Sequence, residues 1–576
     1  MILQGLVRYY EDLLRLGKIA RPGWGPAKVS FALELGKGGE LLSLIILKRG
    51  KKSGLFPRSM EVPMPAKRAS GIAANFLCDN SGYLLGVDTK GKPERTEKCF
   101  TAARELHLSL LSKVNTPAAQ AVVAYFQNWD PDQAFNHPAL TEDWKEIQDG
   151  ANLIFWYEDK PVTEDPEIRR AWQRYYDQPG TGPVMPCLVT GAAEPAALIH
   201  PAIKGVKDAQ TAGAALISFN APAFCSYDRE QNANAPLSGY AAFAYTSALN
   251  YLLADREHVR IIGNTTVVCW VEGGEEGYTD AALALLYGDS PKMTNASLRA
   301  IVEKLARGEK ADWAGTPLEP ERRFYILGLS PNGARLSVRF FLENSFGNFL
   351  KNVNQHYKDL EIIRPAFDKI EQLPLWKLLS ETVNQKSTDK TSNPQMSGDV
   401  LRSILVGGQY PATLLNSVML RIRAEHQVTR GRAAILKAYY LRNKHQDCPK
   451  EVLTVELNEA SMNIPYTLGR MFSVLEAVQQ AANPEINTTI KDKYFNSAAA
   501  TPATIFPLLV NLAQKHFRKL KEGQRIYYEK QLAPLMDFVG RAYPRRLTLP
   551  EQGSFHLGYY HQTQKRYEKK EEKVND

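Results

Sequence analysis

The sequence predicts an α+β fold, in which a mixed N-terminal region is followed by a C-terminal bundle of helices. Short apolar runs bounded by turn residues are typical of strands, and their signal fades after about residue 345. Longer segments with apolar residues three or four apart are typical of helices, and they dominate the remainder of the chain. The two patterns do not alternate strictly, which favours α+β over a doubly wound sheet.

The first element is a predicted amphipathic helix over residues 1–18, MILQGLVRYYEDLLRLGK. Glu11 and Asp12 interrupt its apolar pattern, so the segment lacks the continuous apolar core of a signal peptide. No stretch of the chain approaches the roughly 18 apolar residues of a transmembrane helix.

Four apolar runs then predict strands, namely SLIILKR (43–49), CLVTG (187–191), AALISF (214–219) and VRIIGNTTVVCWV (259–271). The segment FYILGLSPNGARLSVRFF (324–341) predicts a hairpin, because Pro331, Asn332 and Gly333 supply a turn between two apolar runs. Between these strands, GYAAFAYTSALNYLLA (239–254) is apolar nearly all round, which predicts a helix buried on most faces.

Three helical patterns predict the C-terminal bundle, namely TLGRMFSVLEAVQQAAN, TIFPLLVNLAQKHFRKLKEG and RIYYEKQLAPLMDFVG. Pro465 is placed to start the first of these helices. A chain of 576 residues is too long for one hydrophobic core. We therefore predict a mixed α+β domain at 1–345, a helical connecting region at 346–455 and the bundle at 456–576.

The formal net charge of +9 favours a polyanionic partner. Residues from Met462 onward include 17 Lys or Arg against 11 Asp or Glu, so the C-terminal bundle carries much of the excess. This excess is either a solvated helical face or a surface that faces phosphates. In the second case, we expect the backbone-facing cations to include Lys515, Arg518 and Lys519.

The six cysteines contain no CxxC pair and no zinc-ligand spacing. In a chain of this length they are typical of reduced, mostly buried thiols, which favours a cytoplasmic location.

The sequence offers no convincing active site, so we predict that the chain is not an enzyme and holds no metal or cofactor. Its nearest approach to a phosphate loop is GVDTKGKP, but Pro93 lacks both the hydroxyl and the N–H that the loop needs, which favours a turn before a helix. His556 and His561 lie five residues apart without a third ligand, which favours a surface or packing role. No HExxH, GxSxG or clustered acidic motif is present.

Three polar stretches remain, at 67–86, 198–210 and 218–240. Asn and Gln can donate to and accept from a base edge, while Lys and Arg engage phosphates and guanines. Each stretch taken alone is better explained as a structured polar turn. Together, in a basic chain, they favour a nucleic-acid partner.

These stretches also carry a resemblance. SGIAANFLCDNSGYLLGVD, IHPAIKGVKDAQTAGAALISFNAPAFCSYDREQNANAP and FYILGLSPNGARLSVRFF look like signature segments of the large subunit of the type I-C CRISPR surveillance complex, Cascade. The resemblance runs through residues 1–345 and continues more loosely in the helical C-terminus.

The resemblance implies a non-catalytic subunit in antiviral defence. Such a subunit recognises a protospacer-adjacent motif (PAM) in duplex DNA, promotes R-loop formation, binds the displaced strand and docks a helicase-nuclease. Its other implied partners are guide RNA and the backbone, guide-end and small subunits of the complex. The resemblance also implies that the C-terminal helices exist as a separate small subunit, for which Met462 and Met471 are candidate internal starts.

Under that resemblance, the residues expected to recognise the motif are Lys67, Arg68, Ser70, Asn75, Asp79 and Asn80. Those expected to separate strands or bind backbone are Lys204, Lys207, Asn220, Gln231 and Asn234.

Two alternatives stay open. A nuclease or RNA-processing enzyme would cut labelled nucleic acid in the presence of magnesium. A purely structural scaffold would use its polar stretches only to satisfy backbone groups, so substitutions there would lower stability without changing sequence preference.

Overall fold

The computed structural model describes residues 1–51, 54–65, 71–87, 91–178, 182–287, 295–388, 390–540 and 542–567. The chain divides into two compact units. The first unit consists of Met1, Leu3–Pro201 and Ile217–Ala248, and the second of Ile2, Ala202–Leu216 and Leu249–Asp576. Each unit therefore joins segments that are distant in the sequence.

The strands and helices up to residue 254 are, in chain order, α1 (Ile2–Arg15), β1 (Trp24–Val29), β2 (Phe31–Leu35), β3 (Leu41–Ile46), β4 (Arg49–Lys51), β5 (Gly54–Phe56), β6 (Arg58–Pro63), β7 (Cys78–Asn80), α2 (Ser81–Leu84), α3 (Pro93–Leu111), α4 (Pro117–Asn128), α5 (Trp144–Gln148), β8 (Asn152–Tyr157), β9 (Lys160–Pro161), α6 (Pro166–Tyr176), β10 (Val184–Pro186), β11 (Ala193–Pro195) and α7 (Gly239–Ala254). Short 3₁₀ helices occupy Pro131–Asn136, Val162–Glu164, Pro222–Phe224 and Gln231–Asn234.

The later elements are β12 (Arg260–Ile262), β13 (Thr265–Val271), α8 (Glu276–Tyr287), α9 (Asn295–Ala306), β14 (Ala311–Trp313), β15 (Thr316–Leu318), β16 (Arg323–Asn332), β17 (Arg335–Ser345), α10 (Phe346–Leu360), α11 (Leu375–Ser380), α12 (Pro394–Val406), α13 (Ala412–Glu425), α14 (Arg430–Asn443), α15 (Ile464–Ala482), α16 (Ile490–Ala500), α17 (Pro502–Phe517), α18 (Glu522–Val539) and α19 (Leu549–Lys565). One further 3₁₀ helix lies at Lys450–Val452.

The main sheet of the first unit has the order β3-β2-β8-β7, with β9 paired to β8. β2 and β8 run parallel, with Phe31 opposite Leu153, and the other pairs are antiparallel. Apolar side chains of both central strands enter one core with Phe100 of α3 and Val122 of α4. This mixed sheet with helices packed on it confirms the predicted α+β class.

The main sheet of the second unit is antiparallel, in the order β12-β13-β16-β17. The predicted hairpin at 324–341 is confirmed as β16 and β17. Its turn is shorter than predicted, because Pro331 and Asn332 still pair with Leu336 and Arg335. Gly333, with φ +60°, takes the left-handed conformation that such a turn needs.

The predicted strand at 187–191 is wrong. β10 ends at Pro186, and the six residues that follow, 187–192, form the turn into β11. The N–H of Gly191 donates to the carbonyl of Cys187 at 2.8 Å, and the N–H of Cys187 donates to the carbonyl of Ala192 at 2.8 Å. Gly191 permits this reversal because its φ is +76°.

The predicted strand at 214–219 is also wrong, since only its first two residues make sheet-like contacts. Ala214 forms an isolated antiparallel bridge with Ile203, and Ala215 forms a parallel one with Arg335. The remainder is irregular. By contrast, the predicted run at 259–271 is extended, as β12 and β13 joined by a tight turn.

The helix predictions are confirmed for α1, α7 and the three C-terminal patterns. Beyond Ser345, the described part of the chain contains helices and no further strand. α15 begins with Pro465 in its first turn, behind an Asn463 cap. It packs so closely on α19 that a β-carbon added to Gly469 would lie 1.9 Å from the carbonyl oxygen of Phe555. The described helices include none long and apolar enough to cross a bilayer.

Candidate nucleic-acid interface

The first candidate segment is the loop that leads into β7, and its centre is the carboxylate of Asp79. Asp79 is 2% exposed. Its Oδ2 accepts the backbone N–H of Asn75 at 2.9 Å, and its Oδ1 accepts the backbone N–H of Asn80 at 2.8 Å. One buried side chain therefore braces the loop on both sides. Three residues predicted to act with it, Lys67, Arg68 and Ser70, lie outside the described residues.

A buried histidine anchors the same loop. The backbone N–H of Leu77, whose φ is +60°, donates to His107 Nε2 at 2.8 Å, and Nδ1 of that ring donates to the carbonyl of Ala103 at 2.6 Å. Burial lowers the pKa of His107 to about 4, which keeps the ring neutral and Nε2 available as an acceptor. The strained conformation of Leu77 is thus held from the core.

Asn80 caps the short helix α2, since its Oδ1 accepts the N–H of Gly82 at 3.0 Å. Asn75 is half-buried, and its backbone N–H is bound by Asp79. The structure therefore brings Asn75, Asp79 and Asn80 together in one braced loop. Their base-reading role stays a prediction.

The second candidate segment, residues 202–207, is here called the lysine loop. The N–H of Lys204 donates to the side-chain oxygen of Asn250 at 2.8 Å, and the N–H of Lys207 donates to the hydroxyl of Thr266 at 3.0 Å. Both lysines are exposed, and Lys207 Nζ also donates to the carbonyl of Gly263 at 3.2 Å. The main chain of both lysines is thus fixed while their side chains face solvent.

Asn250 positions the lysine loop from α7. Its amide also donates to the carbonyl of Ala202 at 3.0 Å, so one side chain contacts both ends of a three-residue segment. Gly205 makes the close approach possible, because its φ is +94° and a β-carbon there would lie 3.2 Å from Leu253. Sequence reasoning missed Asn250, although it is one of the few polar residues in the largely apolar pattern of α7.

The third candidate segment is the loop at 220–234, and Asn234 organises it. Asn234 Oδ1 accepts the N–H of Ser226 at 2.8 Å, and its Nδ2 donates to the carbonyls of Arg229 and Gln231 at 2.9 Å each. Gln231 is exposed and has a φ of +46°. Asn220 is exposed at the start of the segment. The contacts of Asn234 are to backbone within the loop, whereas Gln231 presents its side chain to solvent.

Sequence reasoning assigned no role to Tyr227 in this loop. Its side chain is 91% exposed, and its φ is +56°. Neither property has a sequence signature, since SYDRE reads as an ordinary polar turn. The loops that hold Asp79 and Tyr227 belong to the first unit, and the lysine loop belongs to the second.

The predicted cations of the bundle lie at the C-terminal end of α17. Lys519 Nζ donates to the side-chain oxygen of Asn483 at 3.1 Å, while Lys515 and Arg518 are exposed. Positive charge at this position also stabilises the helix through its dipole. The geometry is compatible with either a solvated end or a phosphate contact.

The two histidines of α19 have the predicted packing role. His556 is 1% exposed and stacks on Phe495, with ring centroids 5.4 Å apart. His561 is fully buried, and its Nδ1 lies 2.8 Å from the hydroxyl of Tyr466. All six cysteines are free thiols, and five of them are buried. Pro93 opens α3, as expected, while residues 88–90 of the predicted turn lie outside the described residues.

Comparison with known proteins identifies a family. A family model described as CRISPR-associated protein (Cas_Csd1) matches residues 6–567. No curated protein matches the chain. The match extends over both compact units and nearly the whole of the described chain.

Proposed function

Since the chain belongs to the Cas_Csd1 family, the large-subunit family of type I-C Cascade, we propose that it recognises the protospacer-adjacent motif of target DNA and promotes duplex opening. The match over residues 6–567 carries this proposal. Guide RNA would read the long target sequence, so the protein needs contacts to only a few base pairs and to backbone.

The geometry of the candidate loops supports this division of labour. The lysine loop presents two ammonium groups from a fixed main chain, which suits phosphate contacts. The loop around Asp79 is braced from the core, so Asn75 is held in a defined position. A base reader needs such fixed geometry, because a bidentate contact discriminates only when its donors and acceptors are aligned.

The same proposal includes the remaining roles of the family. The chain would act without catalysis or cofactor, bind the displaced strand and dock a helicase-nuclease in the cytoplasm. Its partners would be guide RNA and the backbone, guide-end and small subunits. Met462 directly precedes the Asn463 cap of α15, so an internal start there would keep that helix whole, whereas a start at Met471 would remove its first two turns.

The deciding experiment compares binding of the guide-loaded complex to two target duplexes, one with the correct motif and one with a scrambled motif. The test variant combines Asn75→Ala with Asn80→Ser, because serine keeps the helix cap while removing the amide. We expect the preference for the correct motif to fall by about 5- to 150-fold, the equivalent of removing one base-specific interaction.

A preference that survives in this variant would show that the Asp79 loop is structural, as the scaffold alternative holds. Cleavage of labelled DNA or RNA by the purified chain with magnesium would instead favour the nuclease alternative. Unchanged assembly of the complex is the control, and it is checked by the subunit stoichiometry of both preparations.

A further inference from the structure

Residues 226–229, here called the Tyr227 turn, have an uncommon conformation for their sequence. The N–H of Arg229 donates to the carbonyl of Ser226 at 3.1 Å, which closes a four-residue turn. Both central residues have positive φ, +56° at Tyr227 and +54° at Asp228. Positive φ at both positions is the mark of a type I′ turn, where Gly, Asn and Asp are favoured.

Tyrosine at the first central position is unfavourable for folding. A bulky side chain in the left-handed region crowds its own backbone, and a Gly or Asn would adopt the same turn more easily. Packing of the ring does not offset this conformational cost, because the side chain is 91% exposed. The fold of the unit therefore does not explain why a tyrosine stands here.

The surrounding contacts hold the turn in place. The amide of Asn234 accepts the N–H of Ser226 and donates to the carbonyl of Arg229, so it joins the two ends of the turn. The N–H of Asn232 donates to the carbonyl of Leu198 at 3.4 Å, which ties the loop to the neighbouring segment. The ring is thus carried on a pre-organised support, and little entropy remains to be lost when it meets a ligand.

The charges beside the ring indicate which part of a nucleic acid would meet it. Asp228 and Glu230 are exposed on either side of the exposed Arg229, so the turn and the residue after it carry two carboxylates against one guanidinium. Because its carboxylates outnumber its cations, this segment suits a contact along the phosphate backbone less well than the lysine loop does. A flat aromatic face suits a base, since every base has a π-surface and stacking needs no particular sequence.

We propose that Tyr227 stacks on the base exposed at the opening end of the target duplex and thereby stabilises the first separated base pair. This inference rests on the proposed function, and it adds the residue that holds the strands apart. The flanking carboxylates would disfavour return of the second strand, because they repel its phosphates. Gln231, exposed in the same loop, could then offer its amide to the freed base edge.

The test uses the guide-loaded complex and a target with 2-aminopurine at the base pair next to the motif. Fluorescence of this base reports unstacking as the duplex opens. The principal variant is Tyr227→Asn, because asparagine suits a positive φ and should leave the melting temperature unchanged or raised. Tyr227→Gly serves as a second fold-compatible variant, and Tyr227→Phe keeps the ring.

We expect Tyr227→Asn and Tyr227→Gly to open the fully paired target about tenfold more slowly, the scale of removing one stacked ring. Tyr227→Phe should open it at the wild-type rate. On a target whose first base pairs are already mismatched, all four proteins should bind alike, since no opening is needed. Opening by Tyr227→Asn at the wild-type rate would overturn the proposal.

Two other outcomes would also overturn it. Loss of a subunit from the Tyr227→Asn complex would place the ring in a protein interface instead. An equal defect on paired and mismatched targets would show that the ring contributes to general DNA affinity and not to duplex opening. Failure of the broader function is distinguishable, because the wild-type complex would then show no preference between correct and scrambled motifs.

Discussion

At the residue scale, short polar side chains in this protein serve the backbone more often than their sequence context suggests. Asp79, Asn80 and Asn234 were all predicted to face nucleic acid, yet each binds main-chain groups of its own loop. An amide that pairs with a base and one that pairs with a backbone use the same donors and acceptors. Sequence therefore locates such residues but does not choose between the two partners.

Exposure was predicted better for charged side chains than for aromatic ones. Lys204 and Lys207 are exposed as expected, because burying an ammonium group without a partner is costly. No role was predicted for Tyr227, because an aromatic residue is more often buried than exposed. Its exposure follows from a backbone conformation that no local sequence pattern predicts.

The role of Asn234 gives a prediction at this scale. Asn234→Asp keeps the acceptor for Ser226 but places a carboxylate oxygen against the carbonyls of Arg229 and Gln231. Removing two hydrogen bonds and leaving their acceptors unsatisfied should lower the local stability of the loop by roughly 1–3 kcal/mol. Amide hydrogen exchange at Arg229 should accelerate accordingly, and it can be followed by NMR or mass spectrometry.

Gln231→Glu is the matched control, since it makes the same amide-to-acid change on an exposed side chain of the same loop. It should leave exchange at Arg229 close to wild type. Equal acceleration in both variants would mean that added negative charge, rather than the contacts of Asn234, controls the loop.

At the element scale, the strands that were predicted correctly from sequence either pair with a strand close in the chain or contain a long apolar run. The hairpin of β16 and β17 is of the first kind, and α7 shows that a long apolar run can equally specify a buried helix. CLVTG and AALISF failed because a short apolar run fits a buried turn as well as a strand. Their extended or folded state is decided by partners such as Ala192 and Arg335, which sequence spacing does not identify.

The lysine loop yields the prediction for elements. Lys204→Gln combined with Lys207→Gln should weaken binding of the guide-loaded complex to correct and scrambled duplexes alike, because phosphates carry no sequence information. The slope of log affinity against log salt should become shallower by about 1 for each phosphate that the variant no longer neutralises. Binding measured between about 50 and 200 mM salt gives both quantities.

Lys304→Gln combined with Lys351→Gln provides the control, as both lysines are exposed on helices of the same unit. The control removes the same charge from positions outside the candidate loops. Identical salt slopes in the two double variants would show that the lysine loop affects DNA binding only through the net charge of the protein.

At the scale of the whole molecule, the α+β class and the shift to helices after Ser345 could be predicted, but the composition of the two units could not. Residues 202–216 join the second unit although the chain on both sides of them belongs to the first. The bridge from Ala215 to Arg335 and the hydrogen bond from the N–H of Lys207 to the hydroxyl of Thr266 show the long-range pairing involved. Such pairing has no local signature, so the boundaries predicted at 345 and 455 stay a prediction.

Both units bury histidines, and this predicts how the protein responds to acid. Burial lowers the pKa of His107 and His200 to about 4, and that of His356, His556 and His561 to about 3, from an ordinary value of 6.5. Below pH 6.5 these side chains gain protons in the unfolded chain while they stay neutral in the folded one. Stability is therefore present above pH 6.5 and is lost as the pH falls towards the folded pKa values.

Each of these histidines should lower the free energy of unfolding by up to about 1.4 kcal/mol per pH unit below 6.5. His258 acts in the opposite direction, because Asp280 and Asp255 hold its pKa above the ordinary value against the effect of burial. Urea unfolding between pH 7 and pH 5 tests the sum, since carboxylates of ordinary pKa titrate mainly below that range. His556→Phe, which keeps a ring against Phe495, should reduce the slope by the share of one histidine. A free energy of unfolding that stays constant from pH 7 to pH 5 would mean that these rings are protonated in the folded protein, and the neutral acceptor role of His107 beneath the Asp79 loop would fail with it.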